Sequence, residues 1–303
     1  MRIVYFGTAP FAVLPLAEIA PHVVLVVSQP DRMAGRGMHL QPSPVKKAAL
    51  ELGLRVATPE KSRSPEFVAK LRELGADALL VAAYGQILST AVLESAVHGG
   101  INLHGSMLPK YRGAAPIQRA ILNGETETGV TLMQMDKGMD TGDIIAIERT
   151  PIDPDDTALD LTLKLSYVAG QMAKHWMPLI CLGQYPRTPQ DPAEATLAPK
   201  VEKSEAELHF DRPAPQEYDR YRAFTPSPGA FLRTRFGLVK IGQARLGTQE
   251  GNPSVVLSAS ESCQVAFSHG SLHLLELQPE GKKRMTGKDF ANGLRLRPGD
   301  SLL

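Results

Sequence analysis

The chain has 303 residues, 43% of them hydrophobic and 21% charged, which excludes wholesale disorder and suggests about two domains. Lysine and arginine total 33 against 32 acidic residues, a net charge of +1, so the chain as a whole is no strongly basic nucleic-acid binder. Two cysteines, Cys181 and Cys263, exclude a disulfide framework or a CxxC-type zinc site and are expected as buried free thiols.

The chain opens directly on Arg2-Ile3-Val4-Tyr5-Phe6, without the basic segment and apolar core of a secretory leader. No apolar run approaches the roughly 20 residues that span a bilayer. A cytoplasmic protein with no membrane partner is expected.

The first 150 residues alternate strand-like and helical patterns. Ile3–Phe6 reads as a strand ending at Gly7-Thr8, and residues 11–19 have helical spacing. Val23–Val27 is too short for a helix and suits a strand buried on both faces. A helix over 44–52, a short strand over 54–57, a helix over 65–74 and a buried strand over 78–82 follow. Such alternation implies a parallel sheet with right-handed crossovers.

Near residue 125 the pattern changes. Residues 128–135 and 143–150 read as adjacent strands around the Gly-rich turn 137–142. A long helix is predicted from Thr157 to about Ile180, with Asp156-Thr157 as its start and Gly183 as its stop. The lone Trp176 lies in it as a core or interface anchor. Residues 184–200 contain four prolines and few large apolar side chains and read as an extended linker. Beyond them come short β-patterned runs at 231–234, 238–244, 254–257, 263–267 and 271–277, which suggest a small β-barrel or sandwich.

The segment Gly99-Gly100-Ile101-Asn102-Leu103-His104-Gly105-Ser106-Met107-Leu108-Pro109-Lys110-Tyr111-Arg112-Gly113 carries the most chemistry. Asn102 and His104 are two apart at the end of a predicted strand, so both side chains point to one side. Ligands of open α/β sheets bind at the carboxyl ends of strands, and two polar groups there suit the stabilisation of negative charge. A bare Asn-x-His also caps its own turn; the Gly/Pro-rich loop after His104 tilts the reading towards a site. Thirty-six residues further on lies Asp140, in Met135-Asp136-Lys137-Gly138-Met139-Asp140-Thr141-Gly142-Asp143. On spacing alone, either Asp136 or Asp140 suits the task of orienting His104 and favouring its imidazolium form.

Asn102-x-His104, the His-Gly-Ser-Met-Leu-Pro-x-Tyr-Arg-Gly run and Asp140-Thr141-Gly142-Asp143 resemble the folate-dependent formyltransferases. The resemblance implies a catalytic triad of Asn102, His104 and Asp140. It also implies a tetrahydrofolate site at Ser106, Met107, Leu108 and Pro109, with Met107 where the family usually has leucine, a swap conservative in volume. A second departure is Gly7-Thr8-Ala9-Pro10-Phe11, where the family commonly has Gly-Thr-Pro. Further matches lie at Gln29–Gly37 with Pro42–Lys46, at 111–118, at Arg222–Ala230 and at Leu277–Lys283. They resemble the branch of the family that acts on tRNA, and cover nearly the whole chain.

What this implies is transfer of a formyl group from 10-formyltetrahydrofolate to the α-amine of initiator methionyl-tRNA, without a metal. The implied fold is an N-terminal α/β domain (1–183) with a Rossmann-like, mostly parallel sheet, a linker (184–200), and a small OB-like β-barrel (201–303) that binds tRNA, the chain acting as a monomer.

Local charge sharpens the tRNA reading. Residues 31–47 carry four basic groups against one acid, 212–245 seven against two, and 282–297 six against one. Such stretches suit phosphate tracking. The candidates for tRNA contact are Arg36, between two glycines, with Lys46, Arg222, Lys282 and Lys283. The other seven histidines show no metal-ligand spacing.

Three competing readings remain at this level. A relative acting on a small-molecule or sugar amine shares the triad but does not account for the 31–47 loop. A dinucleotide-dependent oxidoreductase requires Gly-x-Gly-x-x-Gly, which Gly7-Thr8-Ala9-Pro10 is not. A non-catalytic RNA-binding module leaves the intact triad unexplained.

Overall fold

The computed structural model describes residues 1–34 and 39–303. The chain divides into two compact units. The first comprises Met1–Pro116, Glu127–Pro151 and Thr162–Pro199, and the second Ile117–Thr126, Ile152–Leu161 and Lys200–Leu303.

The elements begin with β1 (Ile3–Gly7), α1 (Val13–Ile19), β2 (Val23–Val27), β3 (Arg32–Ala34), β4 (His39–Gln41), α2 (Pro44–Glu51), β5 (Val56–Ala57), α3 (Pro65–Glu73) and β6 (Ala78–Ala82). They continue with α4 (Thr90–Leu93), β7 (Gly100–His104), β8 (Arg112–Gly113), α5 (Pro116–Leu122), β9 (Glu127–Gln134), β10 (Ile144–Pro151), α6 (Ala158–Cys181) and β11 (Leu197–Ala198).

The main sheet of the first unit has the order β10-β9-β7-β6-β1-β2-β5. Neighbours from β7 to β5 run parallel, and β9 and β10 are antiparallel at one edge. β1, β6 and β7 are buried along their whole length, as apolar strands covered on both faces must be. The strand order reverses between β1 and β6, which is where a doubly wound sheet opens a crevice. There the Thr8 hydroxyl donates to the Tyr84 carbonyl (2.8 Å) and accepts from Gln29 N (3.3 Å).

Local chemistry accounts for the element starts. Ser43 and Ser64 cap α2 and α3 by accepting from the backbone N–H groups of Lys46 (3.0 Å) and Phe67 (3.3 Å). Pro44 and Pro65 follow them, where a missing N–H costs nothing. Pro10 likewise begins a short 3-10 turn, Pro10–Ala12, so the helix expected over 11–19 is a turn followed by α1. The strand expected over 54–57 shrinks to β5, since only Val56 and Ala57 pair with β2. Trp176 is half-buried on α6, edge-on to His175 with ring centroids 5.1 Å apart.

Residues 184–199 contain a 3-10 turn at Pro192–Glu194 and belong to the first unit. Tyr185 Oη donates to Gln134 Oε1 (3.0 Å), Thr188 pairs with Ile144, and β11 runs parallel to β8.

The second unit contains α7 (Ala214–Ala223), β12 (Phe231–Thr234), β13 (Gly237–Gly247), β14 (Val256–Ser258), β15 (Cys263–Ala266), β16 (Ser271–Pro279), β17 (Met285–Thr286) and α8 (Gly287–Gly293). Its antiparallel sheet has the order β12-β13-β16-β15-β14, with β17 also on β16. Register shifts around Gln243 bend the long β13–β16 pair, giving a curled half-barrel. Tyr218 and Tyr221 from α7 and Phe290 from α8 pack with Leu232, Val239 and Leu274 in its core. The sequence pattern alone placed no helix at α7 or α8; α7 has five charged or amide residues and only its two tyrosines as large apolar ones. Burial pushes the Cys263 thiol up to about 12 and the Cys181 thiol to about 11, and both are free. No helix among the described residues is long and apolar enough to cross a membrane.

Residues 117–126 bring Arg119 to Glu205, which accepts from both guanidinium nitrogens and from Glu202 N (2.8 Å). Arg119 holds the Glu205 carboxyl below the usual carboxylate range. A carboxyl depressed on folding stabilises the fold above its unfolded value, near ~4.3, and that contribution is lost as the pH falls through the folded value. Glu205→Gln is therefore expected to lower resistance to urea at pH 7 and to make no difference at acid pH where the wild-type carboxyl is protonated; paired unfolding curves check this.

Candidate active site

Asn102 and His104 lie at the carboxyl end of β7, 8% and 6% exposed. Their partners on β9 are Met133 and Thr131. The two-residue spacing brings both side chains to Asp140, from the loop between β9 and β10. Asn102 Nδ2 donates to Asp140 Oδ1 (3.4 Å), and His104 Nδ1 stands 3.6 Å from Oδ2. The same Oδ2 accepts from the backbone N–H of Gly113 (2.8 Å). Gly113 has φ +125°, and a Cβ there would meet the Ala198 carbonyl at 2.7 Å, so β8 and β11 come this close only with glycine at that position.

The two aspartates have different tasks. Asp136 accepts from Gly138 N (2.9 Å) and the Thr141 hydroxyl (2.8 Å), closing its own turn. Asp140 sits in the left-handed region, at φ +55°, and faces His104.

The second ring nitrogen of His104 settles its tautomer. Nε2 lies 2.9 Å from the Tyr111 carbonyl, and a carbonyl only accepts, so Nε2 carries a proton. Any second proton then resides on Nδ1, facing Asp140. A separation of 3.6 Å is beyond a good hydrogen bond, which leaves an Nδ1–H attracted by the carboxylate yet free to be shared.

The loop after β7 is built partly from its own side chains. Ser106 is fully buried and its hydroxyl donates to Lys110 O (2.6 Å). The Thr131 hydroxyl donates to Ser106 O (2.7 Å) and accepts from Leu108 N (3.0 Å). Leu108 is 3% exposed, whereas Met107 and Pro109 are half-buried. Of the four positions expected at the folate site, Ser106 and Leu108 shape the loop, and Met107 and Pro109 have surface to offer a ligand.

The pattern of the family described as formyl transferase matches residues 6–175, and that of the formyl transferase C-terminal domain matches residues 200–295. A methionyl-tRNA formyltransferase of Myxococcus xanthus is 45% identical, covering 98% of this chain and 96% of its own length. That of Dictyoglomus turgidum is 41% identical, covering 99% and 98%. The chain belongs to the formyl transferase family. Among solved structures, an N-formyltransferase from Helicobacter canadensis, crystallised with folinic acid and dTDP-3-aminofucose, shares the fold at TM-score 0.67 and 20% identity, covering 90% of this chain and 98% of its own. HypX from Aquifex aeolicus, with tetrahydrofolic acid, aligns at TM-score 0.66 and 16% identity, covering 96% of this chain and 47% of its own.

The residues expected at tRNA fall in different settings. Arg36 lies outside the described residues. Lys46 is half-buried, with its ammonium 2.8 Å from both carboxylate oxygens of Asp31. Lys282 and Lys283 are exposed. Arg222 is 5% exposed; its guanidinium pairs with Asp219, donates to Asp156 O (3.0 Å) and covers the Tyr218 ring. That burial withdraws Arg222 from any phosphate-facing surface. The i,i+3 spacing to Asp219 on α7 is the sequence signal for it.

Three participants lay beyond the sequence reading: the Gly113 N–H, the Tyr111 carbonyl and Gln190. Backbone groups have no sequence signature, and Gln190 stands alone between prolines. Its carboxamide touches Arg112, Asp140 and Gly142. Among the described residues, no group of three His, Cys, Asp or Glu side chains is placed to hold a metal.

The His104 geometry has a direct spectroscopic consequence. In its neutral form the ring is expected as the Nε2–H tautomer, readable from its two 15N shifts in a long-range 1H–15N correlation. A ring protonated on Nδ1 alone contradicts the Tyr111 contact.

Proposed function

We propose that the chain transfers the formyl group of 10-formyltetrahydrofolate to the α-amine of initiator methionyl-tRNA, giving N-formylmethionyl-tRNA for translation initiation. The observation that carries this is the convergence of Asn102, His104 and Asp140 at the end of β7 in a chain 41–45% identical, over nearly full length, to methionyl-tRNA formyltransferases. The sugar-acting neighbours are far more distant, at about 20% identity, so a small-molecule or sugar amine is the lesser reading.

The donor set suits a formyl carrier. A neutral amide and an imidazole both donate, as a carbonyl oxygen requires, and no acid points at it in competition except Asp140, which they already contact. 10-formyltetrahydrofolate would supply the formyl carbon, and Met107 and Pro109 would help hold it while Ser106 and Leu108 shape the loop.

The chain's residues then act as follows. Addition of a neutral amine to the formyl carbon puts negative charge on the formyl oxygen. Asn102 Nδ2 gives one N–H to Asp140 and turns the other towards that oxygen. The imidazolium of His104, fixed through Nε2–H to Tyr111 O, offers its Nδ1–H. Asp140 faces the Nδ1 side of that ring and orients it, and takes up the amine proton, through a water, for delivery to the folate nitrogen as the carbon–nitrogen bond to it breaks. Amines are good nucleophiles, so holding two substrates together supplies much of the remaining acceleration.

In this reading residues 1–183 form the catalytic part, with 184–199, expected as a linker, packed on it, and residues 201–303 form the tRNA-binding part. Arg36, Lys46, Lys282 and Lys283 are its phosphate-contacting groups. The enzyme works in the cytoplasm as a monomer.

Two outcomes test the proposal. His104→Ala and Asp140→Ala are each expected to lower the transfer rate by about 100- to 1,000-fold while circular dichroism stays native; near wild-type turnover removes the mechanism. The Michaelis constant for tRNA should rise with salt. Lys282→Ala and Lys283→Ala should each flatten that logarithmic dependence by about 1, and a salt-independent constant contradicts the electrostatic reading.

A further inference from the structure

We propose that Gln190 is a positioning residue for formyl transfer: its carboxamide ties Arg112 to the backbone on both sides of Thr141 and so sets how Asp140 faces His104. The proposal rests on the function read above.

Gln190 Nε2 donates to Asp140 O (2.9 Å) and Gly142 O (2.7 Å). Its Oε1 accepts from Arg112 Nε (3.1 Å) and Nη2 (2.7 Å). The orientation of the amide is unambiguous, because arginine only donates and carbonyls only accept. Both N–H donors and the oxygen are engaged at once, and no other uncharged side chain of this length supplies two donors and an acceptor from one planar group.

What is held needs holding. Asp140 adopts φ +55°, which residues with a side chain rarely take up unaided. Arg112 is 8% exposed and lies between Tyr111, whose carbonyl fixes His104, and Gly113, whose N–H fixes Asp140. Gln190 therefore joins the two strips of backbone that clamp the triad. The rest of its segment is moored nearby: the Thr196 hydroxyl accepts from Tyr111 N (2.9 Å), and Arg112 N donates to Thr196 O (2.9 Å).

Gln190 touches the backbone of the triad and not the reacting atoms, so its loss should change the rate of the chemical step and not the grip on either substrate. The test is single-turnover transfer from 10-formyltetrahydrofolate to methionyl-tRNA by wild type, Gln190→Met and Gln190→Glu. Methionine fills the space without any donor. Glutamate keeps the shape and the Arg112 pair but sets oxygen against the two carbonyls. Both variants should transfer about 10- to 100-fold more slowly at saturation, with half-saturating concentrations of both substrates within twofold of wild type and native circular dichroism at the assay temperature. A wild-type rate in either variant overturns the proposal, as does a defect confined to half-saturation or a failure of both to fold. Inactivity of the wild-type chain would instead remove the functional reading beneath it.

Discussion

The carboxylate of Asp140 is the point on which the rest of the site depends. Its side chain is only 17% exposed, and a carboxylate withdrawn from water must find partners or lose its charge. It finds three: the Gly113 N–H, the Asn102 amide and the His104 ring. The backbone N–H is permanent and well placed, so the carboxyl group is held before any substrate arrives. The imidazole answers that charge from one side while the Tyr111 carbonyl pins it from the other. In the proposed reaction, donors already gathered in this way have little reorganisation left to do as charge develops.

Four stretches of chain must converge to make this arrangement. β7 delivers Asn102 and His104 by simple alternation. The loop following it returns through β8, where only glycine permits the approach to Ala198. The turn between β9 and β10 carries Asp140, closed on itself by Asp136. Residues 184–199 then lie across β8 and the Asp140 turn, joined to both through Thr196 and Gln190. A segment with the composition of a connector is thus part of the wall of the site.

Much of this was legible in the residues. Buried strands such as β2 and β6 announce themselves as short β-branched or aliphatic runs, and Ser-Pro pairs mark the starts of α2 and α3. The meeting of Asn102, His104 and Asp140 followed from strand alternation and a matching motif, although spacing left Asp136 and Asp140 equivalent until the fold separated them. What stayed hidden depends on backbone groups and long-range packing. The Tyr111 carbonyl, the Gly113 N–H and the Gln190 amide act through positions rather than residue chemistry. Arg222 illustrates the converse: as one basic residue in a basic stretch it reads as a surface contact, but its helical partner Asp219 turns it inward. The overall charge of +1 likewise hides exposed lysines at 282 and 283 behind acidic residues elsewhere.

The proposed chemistry needs a donor array and two substrates held together, so the amine that is formylated is what separates the tRNA reading from the sugar reading. The most direct measurement offers the wild-type chain, with 10-formyltetrahydrofolate, charged initiator tRNA and a nucleotide-linked amino sugar in the same reaction, and identifies the formylated product by mass spectrometry. The account expects N-formylmethionyl-tRNA and an unmodified sugar. Formylation of the sugar with the tRNA left unchanged would contradict it.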